Sequence, residues 1–326
     1  DSATQASLRQ NAQVSSPRYV SHQYLNMKLY KFVQPERVDI LSNECIRFSQ
    51  PSDLNDPFET RPHIKQISDD PNIEEVASEL LSEERLRPEY EDLPESKKTG
   101  MFGNFQSFYE WMLAHEEEAR ELIARNNEFR GPGELKREFL QTVRVFFDDR
   151  FGILSLTEKW QSVKMWAHYA ASQTGFVIEF DSNRLTEGWH DDDYGDVLGQ
   201  VHEVKYSSER PEVTWQQSNL DDEEYEDYLL TNFLLTKLDD WAEEEEQRVI
   251  MPFRDADDMK AEDPHNIYLF NYPTDSITGI IFGIRTSTET RNAVRRAVQE
   301  VSDISFSEVR PSEGVFSLER HSCSPE

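Results

Sequence analysis

The sequence predicts an α+β fold of small mixed and antiparallel sheets with a helical insertion. Three observations lead to it. Short apolar stretches of strand length, such as Ile153 to Thr157 and Phe176 to Phe180, alternate with segments of helical spacing. None of those strands is followed by the glycine fingerprint of a doubly wound nucleotide fold. Residues 68 to 150 differ in character. Their apolar positions recur at helical spacing among Glu and Arg, and Pro88, Pro94 and Gly131 to Gly133 punctuate them, so they read as about three helices on the rim of the domain.

Taken in order, residues 1 to 27 are polar with no apolar centre and read as a flexible arm. Lys28 to Val33 alternates as a strand, and Pro35 and Glu36 open a helix through Val38, Ile40 and Leu41. Ile46 to Ser49 is a second strand. It runs into Pro51 to Thr60, where two prolines, Asp53, Asn55 and Asp56 force a tight irregular turn. After the insertion, Gly152 to Phe180 reads as strand, loop, a helical turn bearing Trp166, His168 and Tyr169, and strand. Val201 to Tyr206 alternates as a strand. An acidic helix start at Asp221 suits the helix dipole, and that helix continues through Leu238 towards Trp241. Strands follow at Arg248 to Phe253 and Ile277 to Ile284, then a helix from Thr288 to Val301 and a closing strand over Ile304 to Arg310. The domain therefore spans 28 to 310, with a polar tail over 311 to 326.

The outlying property is charge. Lys+Arg number 34 against 64 Asp+Glu, a formal net charge of -30 over 326 residues. Such a surface repels phosphate and argues against a general nucleic-acid coat, while a local basic groove is still allowed. Cys45 and Cys323 form neither a disulfide framework nor a zinc site, which places the expected location in a reducing cytoplasm. No run approaches the ~18 apolar residues of a membrane span. The acidic run from His190 to Asp193 lacks the spacing of a cation loop and reads as a solvated turn, so no metal is expected.

Common phosphate-loop, dinucleotide, nucleophile-elbow and zinc-protease motifs are all missing. What stands out is Trp241 to Phe253, where Glu244 and Glu246 sit two apart as the chain enters a strand. Alternation puts both on one face, and Arg248 continues it. Paired carboxylates repel, so one of them needs a cation or a ligand's hydroxyls to stay ionised. Trp166, His168 and Tyr169 crowd one helical turn, which suits a pocket for a flat ligand and equally suits a core under a sheet. Asn55 and Asp56 either reach that same cleft or hydrogen-bond their own turn.

The blocks LYKF, FSQPSDLNDPFE, MWAHYA with GFVIEF, and Trp241, Glu244, Glu246 and Arg248 in a W-x-x-E-x-E-x-R pattern resemble the bacterial domain-of-unknown-function family 2971. They run in order over residues 28 to 285. The order of parts is also similar to the ADP-ribosyltransferase fold. That likeness implies NAD as substrate, with Glu246 stabilising charge on the ribose and Glu244 orienting an acceptor. It further implies ligand-holding roles for Tyr30 or Lys31 on the first strand, for Ser155 and Thr157 on the middle strand, and for Trp166 or Tyr169 as the ring stacked on nicotinamide. His168, Asn55, Asp56 and Arg248 would complete the site.

The expected function is thus a NAD-dependent ADP-ribosyltransferase or NAD hydrolase with an unidentified protein or nucleic-acid acceptor. Relatives of this kind suggest the effector of an anti-phage defence or toxin system. Two rivals stay open: a non-catalytic module that senses a nucleotide or a nucleic-acid end, and an acidic protein-interaction module.

Overall fold

The computed structural model describes residues 27–67, 83, 87, 90, 91, 98, 103–114, 132–189, 196–215, 223–262 and 265–323. The predicted arm, much of the insertion and the acidic run at 190–193 lie outside these. Fifteen strands are seen among the described residues: β1 (Lys28–Val33), β2 (Cys45–Phe48), β3 (His63–Ile67), β4 (Phe151–Thr157), β5 (Phe176–Asp181), β6 (Val201–Glu203), β7 (Lys205–Ser207), β8 (Glu212–Trp215), β9 (Thr236–Leu238), β10 (Glu246–Pro252), β11 (Asp258–Lys260), β12 (Ile267–Asn271), β13 (Ile277–Phe282), β14 (Ser305–Pro311) and β15 (Leu318–Ser322).

The class is α+β. Its centre is an eight-stranded sheet ordered β15-β14-β13-β5-β1-β4-β10-β6, larger than the small sheets the sequence suggested, with three smaller sheets around it. Every pairing in the large sheet is antiparallel except β13 with β14, which the helix Thr288–Ala297 joins as a crossover. Alternation along β1 explains the layering. Leu29 and Val33 pack with Ile178 and Phe180 on one face. Tyr30 and Phe32 pack with Val177, Ile281 and Trp166 on the other.

One seam of this sheet is open. Between β1 and β5 six consecutive residues pair, and between β10 and β4 seven do. Between β1 and β4 the register holds at a single pair, Tyr30 with Thr157. Beyond that pair the two strands splay, and the gap becomes the cavity described below.

Three expectations need correction. The helix after residue 221 ends at Leu234, and Thr236–Leu238 forms β9, parallel to β7. The chain past 310 is no free tail, because β15 pairs antiparallel with β14 and extends the sheet. The helix Pro132–Arg150 at the end of the insertion is part of the body: Val143 and Phe147 are buried, and Phe147 lies 4.8 Å from the ring of Phe233. Its apolar stripe gains more by joining that core than by lying on a rim. No helix among the described residues is long and apolar enough to cross a membrane.

Candidate active site

The splayed seam encloses a cavity of about 210 Å³. Against it lies a buried cluster of charges supplied by four separate stretches of chain. Glu59 comes from the end of the Asn55 turn, Lys237 from β9, Glu244 from a 3₁₀ turn, and Glu246 and Arg248 from the start of β10.

Lys237 is the hub. Its Nζ donates to Glu244 Oε2 and to Glu246 Oε2, each at 2.8 Å, and lies 3.6 Å from Glu59 Oε1. Arg248, 1 % exposed, donates through Nε to Glu246 Oε1 at 2.7 Å and through Nη2 to Glu246 Oε2 at 3.0 Å and Glu59 Oε1 at 2.5 Å. Its Nη1 caps the Leu234 carbonyl at the end of the preceding helix. Burial alone would push the Glu246 carboxyl up, but Arg248 and Lys237 outweigh it and hold it at about 2. Glu59 goes the other way: desolvation wins over the same two cations and raises it. Burial disfavours the charged form of Lys237, yet the surrounding carboxylates, Glu246 foremost, carry its pKa upward.

Glu244 and Glu246 converge by a different route from the one alternation implies. Glu244 ends a 3₁₀ turn, Glu245 adopts a left-handed conformation at φ 41°, and only Glu246 begins the strand. The reversal at Glu245 aims both neighbours at Lys237 and leaves Glu245 outside, paired with Lys159. Thr157 fastens this turn by donating to the Glu244 carbonyl at 2.5 Å.

Tyr169 reaches in from the helix Val163–Tyr169. Its hydroxyl donates to Glu244 Oε1 at 2.8 Å and accepts from Asn55 Nδ2 at 2.7 Å. Desolvation, then the adjacent Glu244 charge, raises the Tyr169 pKa, so its proton stays on the phenol. Lys31 donates to the Ser155 carbonyl at 2.8 Å across the open seam, and burial lowers it to about 8 against the pull of Glu246. Lys31 and Ser155 line the cavity, as do Tyr30 and Phe32.

Of the residues read from the sequence, Glu244, Glu246, Arg248, Tyr169, Asn55, Lys31, Tyr30 and Ser155 come together on this cavity. The rest do not line it. Trp166 is fully buried, donates to the Trp160 carbonyl at 2.8 Å, and braces Phe32 edge to face at 5.2 Å. A seven-residue helix can show the sheet only one face, and Met165 and Trp166 fill it, which leaves His168 exposed on the other side. Asp56 turns inward on its own loop, accepting from the Phe58 amide at 2.8 Å. Thr157 is buried behind Glu244.

Sequence reasoning missed Glu59 and Lys237. Glu59 closes the block that ends NDPFE, and nothing marked it as buried. Lys237 was hidden by the helix reading; a lone lysine within Phe233 to Leu238, an otherwise apolar run, was the available signal.

A model of the family described as Protein of unknown function (DUF2971) matches residues 165–249. That span runs from the helix of Tyr169 to Arg248 and Val249, and the Asn55 turn and β1 lie outside it. No curated protein and no solved structure matches the chain.

Proposed function

We propose that this cavity cleaves the bond between nicotinamide and ribose in NAD, passing ADP-ribose to an acceptor or to water. The observation that carries this reading is the unbalanced carboxylate. Glu59, Glu244 and Glu246 form ion pairs only with Lys237 and Arg248, three carboxylates to two cations, an excess opposed across the seam only by Lys31, and Glu244 lines the cavity. Breaking an N-glycosidic bond builds positive charge on the ribose ring, and a fixed, ionised, desolvated carboxylate is the group that stabilises it.

The geometry favours exchanging the two glutamates' roles. Both oxygens of Glu246 are engaged by cations, and Oε2 takes two donors. Each oxygen of Glu244 takes one, leaving an acceptor position on each for a ribose hydroxyl. Glu246 then positions Lys237 and Arg248, while Tyr30, Phe32 and Tyr169 give the cavity an aromatic lining for a flat base. A cavity of about 210 Å³ lies below the ~300–1,000 Å³ of pockets for drug-sized ligands, so it suits the nicotinamide riboside half, with the rest of NAD running out through the open side. The resemblance of the sequence to ADP-ribosyltransferases suggests NAD as the substrate, while it would give the ribose-stabilising role to Glu246.

A second reading, a nucleotide sensor without turnover, is favoured by the density of cations around Glu246. Incubating the full chain with nicotinamide-labelled NAD separates the two. Free nicotinamide supports cleavage, and saturable binding with no release supports the sensor.

A further inference from the structure

On the other side of Lys237 lies a second cavity, of about 220 Å³, which the reading above does not use. Lys237 forms part of both walls, but its ammonium is committed to the carboxylates of the first. The second is built by the segment between the Asn55 turn and β3, and by the end of β7 with the loop that follows it. Arg61 comes from the former, and Ser207, Ser208 and Arg210 come from the latter.

The two arginines set this cavity apart. The chain carries almost two acidic residues for every basic one, 64 to 34, so two arginines on one cavity are a local departure from its overall charge. Among the described residues neither Arg61 nor Arg210 forms an ion pair, although Glu209 also lines the cavity. Arg61 stands near enough to Arg144 for the two like charges to oppose each other, and Arg144 Nε is buried with no hydrogen-bond partner. Asp148 offsets this repulsion only in part. Excess positive charge at one spot on a molecule of net charge -30 is a costly arrangement that an anion would relieve. Beside it Phe58, 49 % exposed, presents a ring with the Arg210 guanidinium 5.3 Å from its centroid. A half-exposed aromatic on the same cavity as two arginines and two serine hydroxyls matches a base, a phosphate and a sugar.

We propose that this second cavity binds a nucleotide, with Arg61 and Arg210 holding the phosphate and Phe58 stacking the base. The two sites share Lys237, so a nucleotide here would stand against the cluster that sets the charge of the first cavity.

Calorimetric titration of the full chain with ADP, adenosine and inorganic phosphate tests this. ADP binds saturably and more weakly as salt rises, adenosine fails to bind, and phosphate binds more weakly than ADP. Arg61→Gln and Arg210→Gln each lower ADP affinity by at least about tenfold, the scale of one hydrogen bond to a charged group, and Phe58→Ala lowers it without changing phosphate binding. Tyr169→Phe, which alters only the first cavity, leaves ADP affinity intact and so keeps this proposal separate from NAD cleavage. Both arginines are exposed, and a thermal melt of each variant matches the unaltered protein. Unchanged ADP affinity in the doubly substituted Arg61→Gln/Arg210→Gln protein, adenosine binding as tight as ADP, or salt-independent binding would overturn the proposal.

Discussion

Lys31 and Lys237 are the two lysines of the first cavity, and their surroundings give them opposite fates. Lys237 is locked among carboxylates and stays charged. Lys31 has one carbonyl partner, and burial lowers it to about 8. Its folded pKa lies below the usual lysine value, so its charge costs stability at neutral pH, and that cost is relieved as pH rises through 8 towards 10.5. Lys31→Met should therefore raise the melting temperature at pH 7 while weakening an anionic ligand, a trade of stability for function. In the unaltered protein, NAD affinity measured from pH 6 to 10 should fall above about 8, and in Lys31→Met that step should vanish. Glu246 has the reverse sign. Held at about 2, it contributes stability that is complete above its ordinary value near 4.5 and is lost as pH falls from there towards 2. Removing its partner exposes the same linkage at neutral pH. Lys237→Met leaves buried carboxylates without their hub and should cost ~3–5 kcal/mol in urea unfolding, and adding Glu246→Gln should recover part of that loss. A double variant whose loss equals the sum of the losses of Lys237→Met and Glu246→Gln alone would show that the cluster is not coupled.

Two short turns assemble the cluster. The first ends with Glu245, a non-glycine residue at φ 41°. Glycine adopts that conformation without strain, and a β-branched side chain strongly resists it. Glu245→Gly should keep both the fold and ligand binding, whereas Glu245→Val should splay Glu244 from Glu246 and lose binding in the same titration. The second is the Asn55 turn, where neighbouring residues divide the work. Asp56 is buried and holds the loop through the Phe58 amide, while Asn55 is exposed and reaches Tyr169. Asn55→Ala should lower turnover with little change in melting temperature, and Asp56→Ala should lower the melting temperature itself. Loss of stability in both would assign Asn55 to the turn alone. These turns also mark the limits of reading the chain unaided. Apolar alternation exposed β1, β4, β5, β10 and β13, because each sits inside the sheet with a face in the core. It could not reveal β9, three residues long, whose inward side chain is a lysine. Glu59 stayed hidden for the same reason: its burial depends on Arg248, 189 residues away.

Across the whole molecule, the cavity forms where regular structure gives way. The large sheet is continuous except at the β1–β4 seam, and that interruption faces β10, the 3₁₀ turn and the Asn55 turn together. The sequence motifs marked the pieces, since Tyr169, Glu244, Glu246 and Arg248 all fall in blocks that stood out. Their mutual distances depended on a sheet order that no local pattern encodes. Residues 165–249, over which the chain is similar to a family of unknown function, supply Tyr169, Lys237, both cavity glutamates and Arg248. The N-terminal part supplies Lys31, Asn55 and Glu59 from outside that match. The proposed cleavage of NAD at this composite site rests on a carboxylate. Its most direct test is the rate of nicotinamide release from NAD by the unaltered chain and by Glu244→Gln, with melts of both. The unaltered protein should release nicotinamide, and Glu244→Gln should lose about 100-fold or more of that rate at an unchanged melting temperature. Release at the same rate by both proteins, or saturable NAD binding with no release by either, would contradict it.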